Sequence, residues 1–176
     1  MSKSNKLSWI QTPATAIICI ILDAISKGWA ESNLTVGQST AFIPGFLKFT
    51  LTSNTGAAFS IGENIGDIMT VLATATTLVI AYWYVNKEKE DELHVLERVG
   101  IGCILGGAIG NLIDRYTKGR VTDFLEFDFM EFPVFNVADA LIDVGIGLIV
   151  IVHIGFLINH KNQKTEAESK DIGQNQ

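Results

Sequence analysis

The chain has 176 residues, 48% of them hydrophobic, a formal net charge of -6 and a mean hydropathy of +0.31. The acidity argues against nucleic acid, which needs a basic footprint, and Cys19 and Cys103 sit in separate apolar runs without disulfide-framework or zinc-site spacing, which leaves them as small packing residues. Size alone would allow one soluble domain or one small membrane bundle, but charged residues collect at 86–98 and 160–176 and are nearly absent from long stretches elsewhere, which selects the membrane.

The first apolar segment, about Leu7 to Ala30, follows Lys3 and Lys6 and is interrupted by Asp23 and Lys27. It is not a cleavable signal peptide, because those two charges stand where small residues would be needed and more apolar segments follow. Next, Phe46 to Thr52 lies between Pro44-Gly45 and Asn54-Thr55-Gly56, the pattern of a strand bounded by turns. An open sheet edge cannot face lipid, so this strand belongs outside the bilayer core. The second segment, Ile65 to Val85, carries only Asp67 at its start and is long enough to span; a short charged loop, 86–94, follows it. The third, Val99 to Ile113, is too short at roughly 1.5 Å per residue for a ~30 Å core, so Val95–Arg98 or Asp114–Tyr116 must enter the interface. Gly102, Gly106 and Gly110 recur on it every four residues, a small-xxx-small pattern expected to bring Asn111 and Asp114 against the fourth segment. Val121 to Phe132 interleaves Glu126, Asp128 and Glu131 with Phe127, Phe129 and Phe132, as an interfacial strand or amphipathic segment does. The fourth segment runs from about Val137 to Ile158, and 161–176 reads as a polar, disordered tail. The expected fold is an all-α membrane protein of four transmembrane helices, with a small extracytoplasmic β-containing segment and an interfacial loop. Residues 1–160 form one domain and 161–176 a cytoplasmic tail.

Lys3, Lys6, Lys87, Lys89, Arg98, Lys161, Lys164 and Lys170 share one side, against Lys48, Arg115, Lys118 and Arg120 on the other, with Lys27 near its boundary. The positive-inside rule then puts both termini in the cytoplasm. Segments one and three run in one direction and four in the other. The C-terminal ends of one and three (Asp23, Lys27; Asn111, Asp114, Arg115) and the N-terminal end of four (Asn136, Asp139, Asp143) therefore meet at one membrane face, which this orientation makes extracytoplasmic.

Ionisable residues at membrane depth cost roughly 2.5–3.5 kcal/mol each at a helix centre, so a cluster of them is a functional-site hypothesis. Asp23 and Lys27, four residues apart, fit a structural ion pair on one helix face. Asp114 and Arg115 are adjacent, cannot face each other and read as braces to other partners. Asp139 has no cation one turn away and is followed one turn deeper by Asp143; two such carboxylates repel if both ionise, a proton-sharing setting that suits acid and base work on water. A second carboxylate could come from Asp114, Asp123 or Asp128, and the spacing of residues does not choose among them. His94, His153 and His160 have no ligand spacing, so no metal is expected.

Several motifs together resemble lipoprotein signal peptidase, or signal peptidase II: Asp23-Ala-Ile-Ser-Lys27, Asn54-Thr-Gly-Ala-Ala-Phe59, Gly106-Gly-Ala-Ile-Gly-Asn-Leu-Ile-Asp-Arg115, Val121-Thr-Asp-Phe124 and Phe135-Asn-Val-Ala-Asp139. Each is weak alone; their order across about residues 17–150 is specific. The resemblance implies an aspartic endopeptidase of the bacterial cytoplasmic (inner) membrane whose catalytic pair matches Asp123 and Asp139. Asn54, Asn111, Arg115 and Asn136 would orient substrate or carboxylates, Gly56 would allow close approach of its loop, and Asp23, Lys27 and Asp114 match supporting polar positions. The implied substrate is a prolipoprotein with a diacylglyceryl group on its lipobox cysteine, cleaved just before that cysteine. No metal or organic cofactor is implied, membrane lipid is the surrounding partner, and a monomer is expected. Asp143 departs from the family's usual uncharged residue and would act on how Asp139 holds a proton.

Three other readings are weaker. A proton channel or transporter predicts polar groups along a path, whereas the other halves of the segments are apolar apart from His153 and Cys103. A serine protease using Ser26 and Lys27 is disfavoured because adjacent helical residues point roughly 100° apart. A purely structural scaffold leaves the carboxylates as unexplained cost.

Overall fold

The computed structural model describes residues 8–55, 65–89 and 93–174, and four of its helices are long and apolar enough to cross a membrane. They are α1 (Ser8–Asn33), α2 (Ile65–Lys89), α3 (Val95–Lys118) and α4 (Val137–Gln174). Three short strands, β1 (Ser39–Ile43), β2 (Leu47–Asn54) and β3 (Val121–Phe127), form one antiparallel sheet in the order β1-β2-β3. Gly56 and the rest of the Gly56–Phe59 motif lie outside the described residues.

α3 is the axis of the bundle. Over half of its spanning window is buried by protein, against less than a quarter for the others. A helix shielded from lipid can tolerate polar residues, and α3 accordingly has the lowest mean hydropathy of the four spans, 1.4 against 2.5 for α4. It is longer than its uncharged stretch because both flanks join it. His94 and Glu97 form a reciprocal capping box at its start, and Gly119, left-handed at φ 70°, ends it with its N–H donating to the Arg115 carbonyl. That cap turns the chain directly into β3.

The glycine stripe packs on α1, not α4. A Cβ on Gly102 would stand 2.8 Å from the Thr12 carbonyl oxygen, one on Gly106 2.7 Å from that of Ala16, and one on Gly110 2.5 Å from the Asp23 carboxylate. α4 is met by a second set on another face of α3. There a Cβ on Gly100 would lie 2.7 Å from the Gly145 carbonyl oxygen, and one on Gly107 2.5 Å from that of Ala138. Two close approaches on different faces of one helix put α1 and α4 on either side of it. Cys19 and Cys103 meet in the α1–α3 contact, Sγ to Sγ 3.9 Å, both buried.

The sheet caps the end of the bundle where α1 and α3 finish and α4 begins. Ala30, Leu51 and Phe124 form its buried centre, with Leu34, Phe49, Leu125 and Val137 packed around them. β1 was not anticipated from sequence: its five residues are all exposed and show no inside-outside alternation. β3 stops at Phe127, short of Phe132, and its first four residues are all buried, so the alternation of acids and aromatics does not describe its burial. α4 continues through 161–174, where the sequence predicts a disordered tail. Lys, Gln, Glu and Ala dominate that stretch and favour helix, and the first glycine comes only at Gly173.

Candidate active site

Asn136 organises the site from the start of α4. Its side-chain oxygen accepts from the Asp139 N–H at 3.0 Å while its own N–H donates to Asp139 Oδ2 at 3.1 Å, a reciprocal cap with Asp139 at the third helical position. Its amide nitrogen donates to Asp123 Oδ1 at 2.6 Å and to Asn111 Oδ1 at 3.0 Å. One fully buried asparagine thus touches both Asp123, on β3, and Asp139, on α4. Asn111 supports the second carboxylate from α3, donating to Asp139 Oδ1 at 2.8 Å. Asn54, at the end of β2, donates to Asp123 Oδ2 at 3.0 Å.

Behind this pair lies a buried ionic brace. Lys27 Nζ is 2.7 Å from Asp23, 3.3 Å from Asp114 and 2.9 Å from Asn111 Oδ1. Asp23 Oδ1 accepts from the Ala138 N–H at 3.1 Å, tying α1 to the first turn of α4. Asp114 Oδ2 accepts from the Thr122 N–H at 3.1 Å and its Oδ1 pairs with Lys118 at 2.9 Å, which fixes β3 one residue before Asp123. The expected Asp23–Lys27 pair and the bracing role of Asp114 are both seen. Arg115 has no side-chain partner among the described residues and lines a 420 Å³ largely apolar groove between α2, α3 and α4 with Asn111, Thr77 and Ile142.

Of the three carboxylates the sequence leaves open, Asp114 is occupied by Lys27, Lys118 and Thr122, and Asp128 turns away to the Gly45 N–H and Lys48. Asp123 alone stands beside Asp139, and both line one 530 Å³ cavity with Asn54, Phe127, Phe132, Phe135 and Asp143. Burial pushes the Asp123 carboxyl above the ordinary 3.8, and the nearby Asp139 charge adds to that push. Donation from Asn54 and Asn136 and the Lys27 charge oppose it. Ser26 Oγ donates to the Asp23 carbonyl, away from Lys27, so those two residues form no dyad.

A family model described as signal peptidase (SPase) II matches residues 15–155, a span that holds every residue of this constellation. The chain belongs to the signal peptidase II family. A lipoprotein signal peptidase of Hydrogenovibrio crunogenus is 38% identical over 172 residues, covering 93% of this chain and 98% of the relative. That of Nostoc punctiforme is 38% identical over 151 residues, covering 86% and 91%. A solved bacterial membrane enzyme shares the fold with TM-score 0.72 at 29% identity, covering 80% of this chain and 90% of that one.

Two features of this signal peptidase II chain were missed from sequence although signals existed. Asn-x-x-Asp ahead of an apolar run is a capping signature and could have paired Asn136 with Asp139. Lys118, one turn after Asp114, could have been read as its partner; it also reaches Glu31 at 2.6 Å, linking α3 to the end of α1.

Proposed function

We propose that the chain is a membrane-embedded aspartic endopeptidase that removes the signal peptide from diacylglyceryl-modified bacterial prolipoproteins, cleaving before the lipidated cysteine, with Asp123 and Asp139 as the catalytic pair. The observation that carries the assignment of the pair is the Asn136 bridge, which holds the two carboxylates side by side on the wall of one cavity. A water held between them would lose a proton to ionised Asp139 as it attacks the scissile carbonyl. Asp123, whose burial favours the protonated form, would donate a hydrogen bond to the carbonyl oxygen as negative charge builds there. Asp139 would then return the proton to the leaving amine, and collapse of the tetrahedral intermediate breaks the peptide bond.

The surroundings suit such a substrate. The groove between α2, α3 and α4 is mostly apolar, its polar lining being Thr76, Thr77, Asn111 and Arg115, so it can take an apolar chain while Asn111 and Arg115 meet backbone carbonyls. The protein acts as a monomer in the bacterial inner membrane, with both termini cytoplasmic and the sheet end extracytoplasmic, so lipidated substrate reaches the site laterally from the bilayer. The test is mass spectrometry of a purified, diacylglyceryl-modified prolipoprotein incubated with the purified protein. Cleavage before the modified cysteine is the expected result; an intact substrate, or cleavage elsewhere, contradicts the reading.

A further inference from the structure

Asp143 is the one carboxylate on the cavity wall that the reaction above does not use. It is exposed, it lines the same cavity as Asp123 and Asp139, and it has no hydrogen-bond or ion-pair partner among the described residues. Its position makes that isolation costly. α4 enters the bundle at Val137, so Asp143 lies one turn deeper than Asp139 inside a span of mean hydropathy 2.5, between Ile142 and Val144. A carboxyl group at that depth calls for a hydrogen-bond partner. None is found among the described residues, and the group lines the cavity.

We propose that Asp143 is a specificity-determining residue, which selects substrates carrying a hydroxyl or amide donor two or three residues to the signal-peptide side of the scissile bond. This rests on the peptidase reading and extends it. The distance follows from two repeats: four residues of helix advance roughly 6 Å along the axis, and an extended chain covers that in about two residues at roughly 3.3 Å each. The direction follows from depth, because Asp143 is on the membrane side of Asp139 and the signal peptide is the stretch of the substrate's peptide chain that runs from the scissile bond into the membrane.

The experiment compares kcat/KM for lipidated prolipoproteins differing only by Thr or Val, nearly equal in shape, at each of those two positions, with the parent and with Asp143→Val and Asp143→Asn. The parent should prefer Thr at one of the positions by roughly tenfold, the worth of one hydrogen bond to a charged or strongly polar group. Asp143→Val should bring the ratio to about one or below, and Asp143→Asn, which keeps an acceptor, should retain part of it. A parent that cleaves all substrates without preference overturns the inference while leaving the peptidase reading intact, as does a preference that survives in Asp143→Val. A parent that cleaves none of these lipidated substrates overturns the peptidase reading itself.

Discussion

Among the described residues Lys27 is the only cation in contact with Asp23 and one of two on Asp114, and it is almost completely buried. Lys27→Met should therefore cost about 3–5 kcal/mol, measured as a lowered thermal unfolding transition in detergent, because it leaves the buried Asp23 carboxylate without its cation. Asp123 offers a sharper test of chemistry. Its proton is held above the ordinary 3.8, so a step that needs protonated Asp123 survives below that raised value and fails as pH rises through it. Asn54→Ala removes a donor that favours the ionised form, so the alkaline limb of the kcat/KM profile should move to higher pH; a limb that stays or falls contradicts the role given to Asp123. The Asp23–Lys27 pair was legible in sequence because helical spacing alone creates it. The partnership of Asp123 with Asp139 was not, since it is made by the Thr122–Asp114 bond and the Asn136 side chain between different elements, and only the family motif pointed to it.

At the scale of elements, the spans were readable from apolar runs, and the shortness of the third required Val95–Arg98 or Asp114–Tyr116 to enter the interface; that both flanks are helical was not readable. The direction of its packing was not readable. A four-residue glycine repeat signals close approach but not to which neighbour, and the second face, through Gly100 and Gly107, carries no four-residue repeat. The two kinds of glycine can be separated experimentally. Gly107→Ala drives a methyl group against the Ala138 carbonyl and should destabilise by about 1–3 kcal/mol, whereas Gly147, with nothing within 4 Å of its missing Cβ, should accept alanine without loss. Thermal unfolding of both variants in the same detergent makes the comparison; equal losses would contradict the α3–α4 contact described here. β1 escaped the sequence because an exposed edge strand has no burial pattern to display, its existence depending on pairing with β2.

For the molecule as a whole, three helices and one sheet deliver polar groups to one end of an otherwise apolar body, which the order and direction of the spans had already implied. Reporter fusions active only outside or only inside the cytoplasm, placed at each terminus and in the 128–134 loop, should report the termini as cytoplasmic and the loop as outside; the reverse would invert the site's position. The most direct measurement is cleavage of a diacylglyceryl-modified prolipoprotein by the parent and by Asp123→Asn, Asp139→Asn and Asp114→Asn, each confirmed as folded by its unfolding transition. The account predicts losses of at least about 10²–10⁴-fold for the first two, with measurable cleavage remaining in Asp114→Asn. Near-parental cleavage by a folded Asp123→Asn or Asp139→Asn would contradict the catalytic pair.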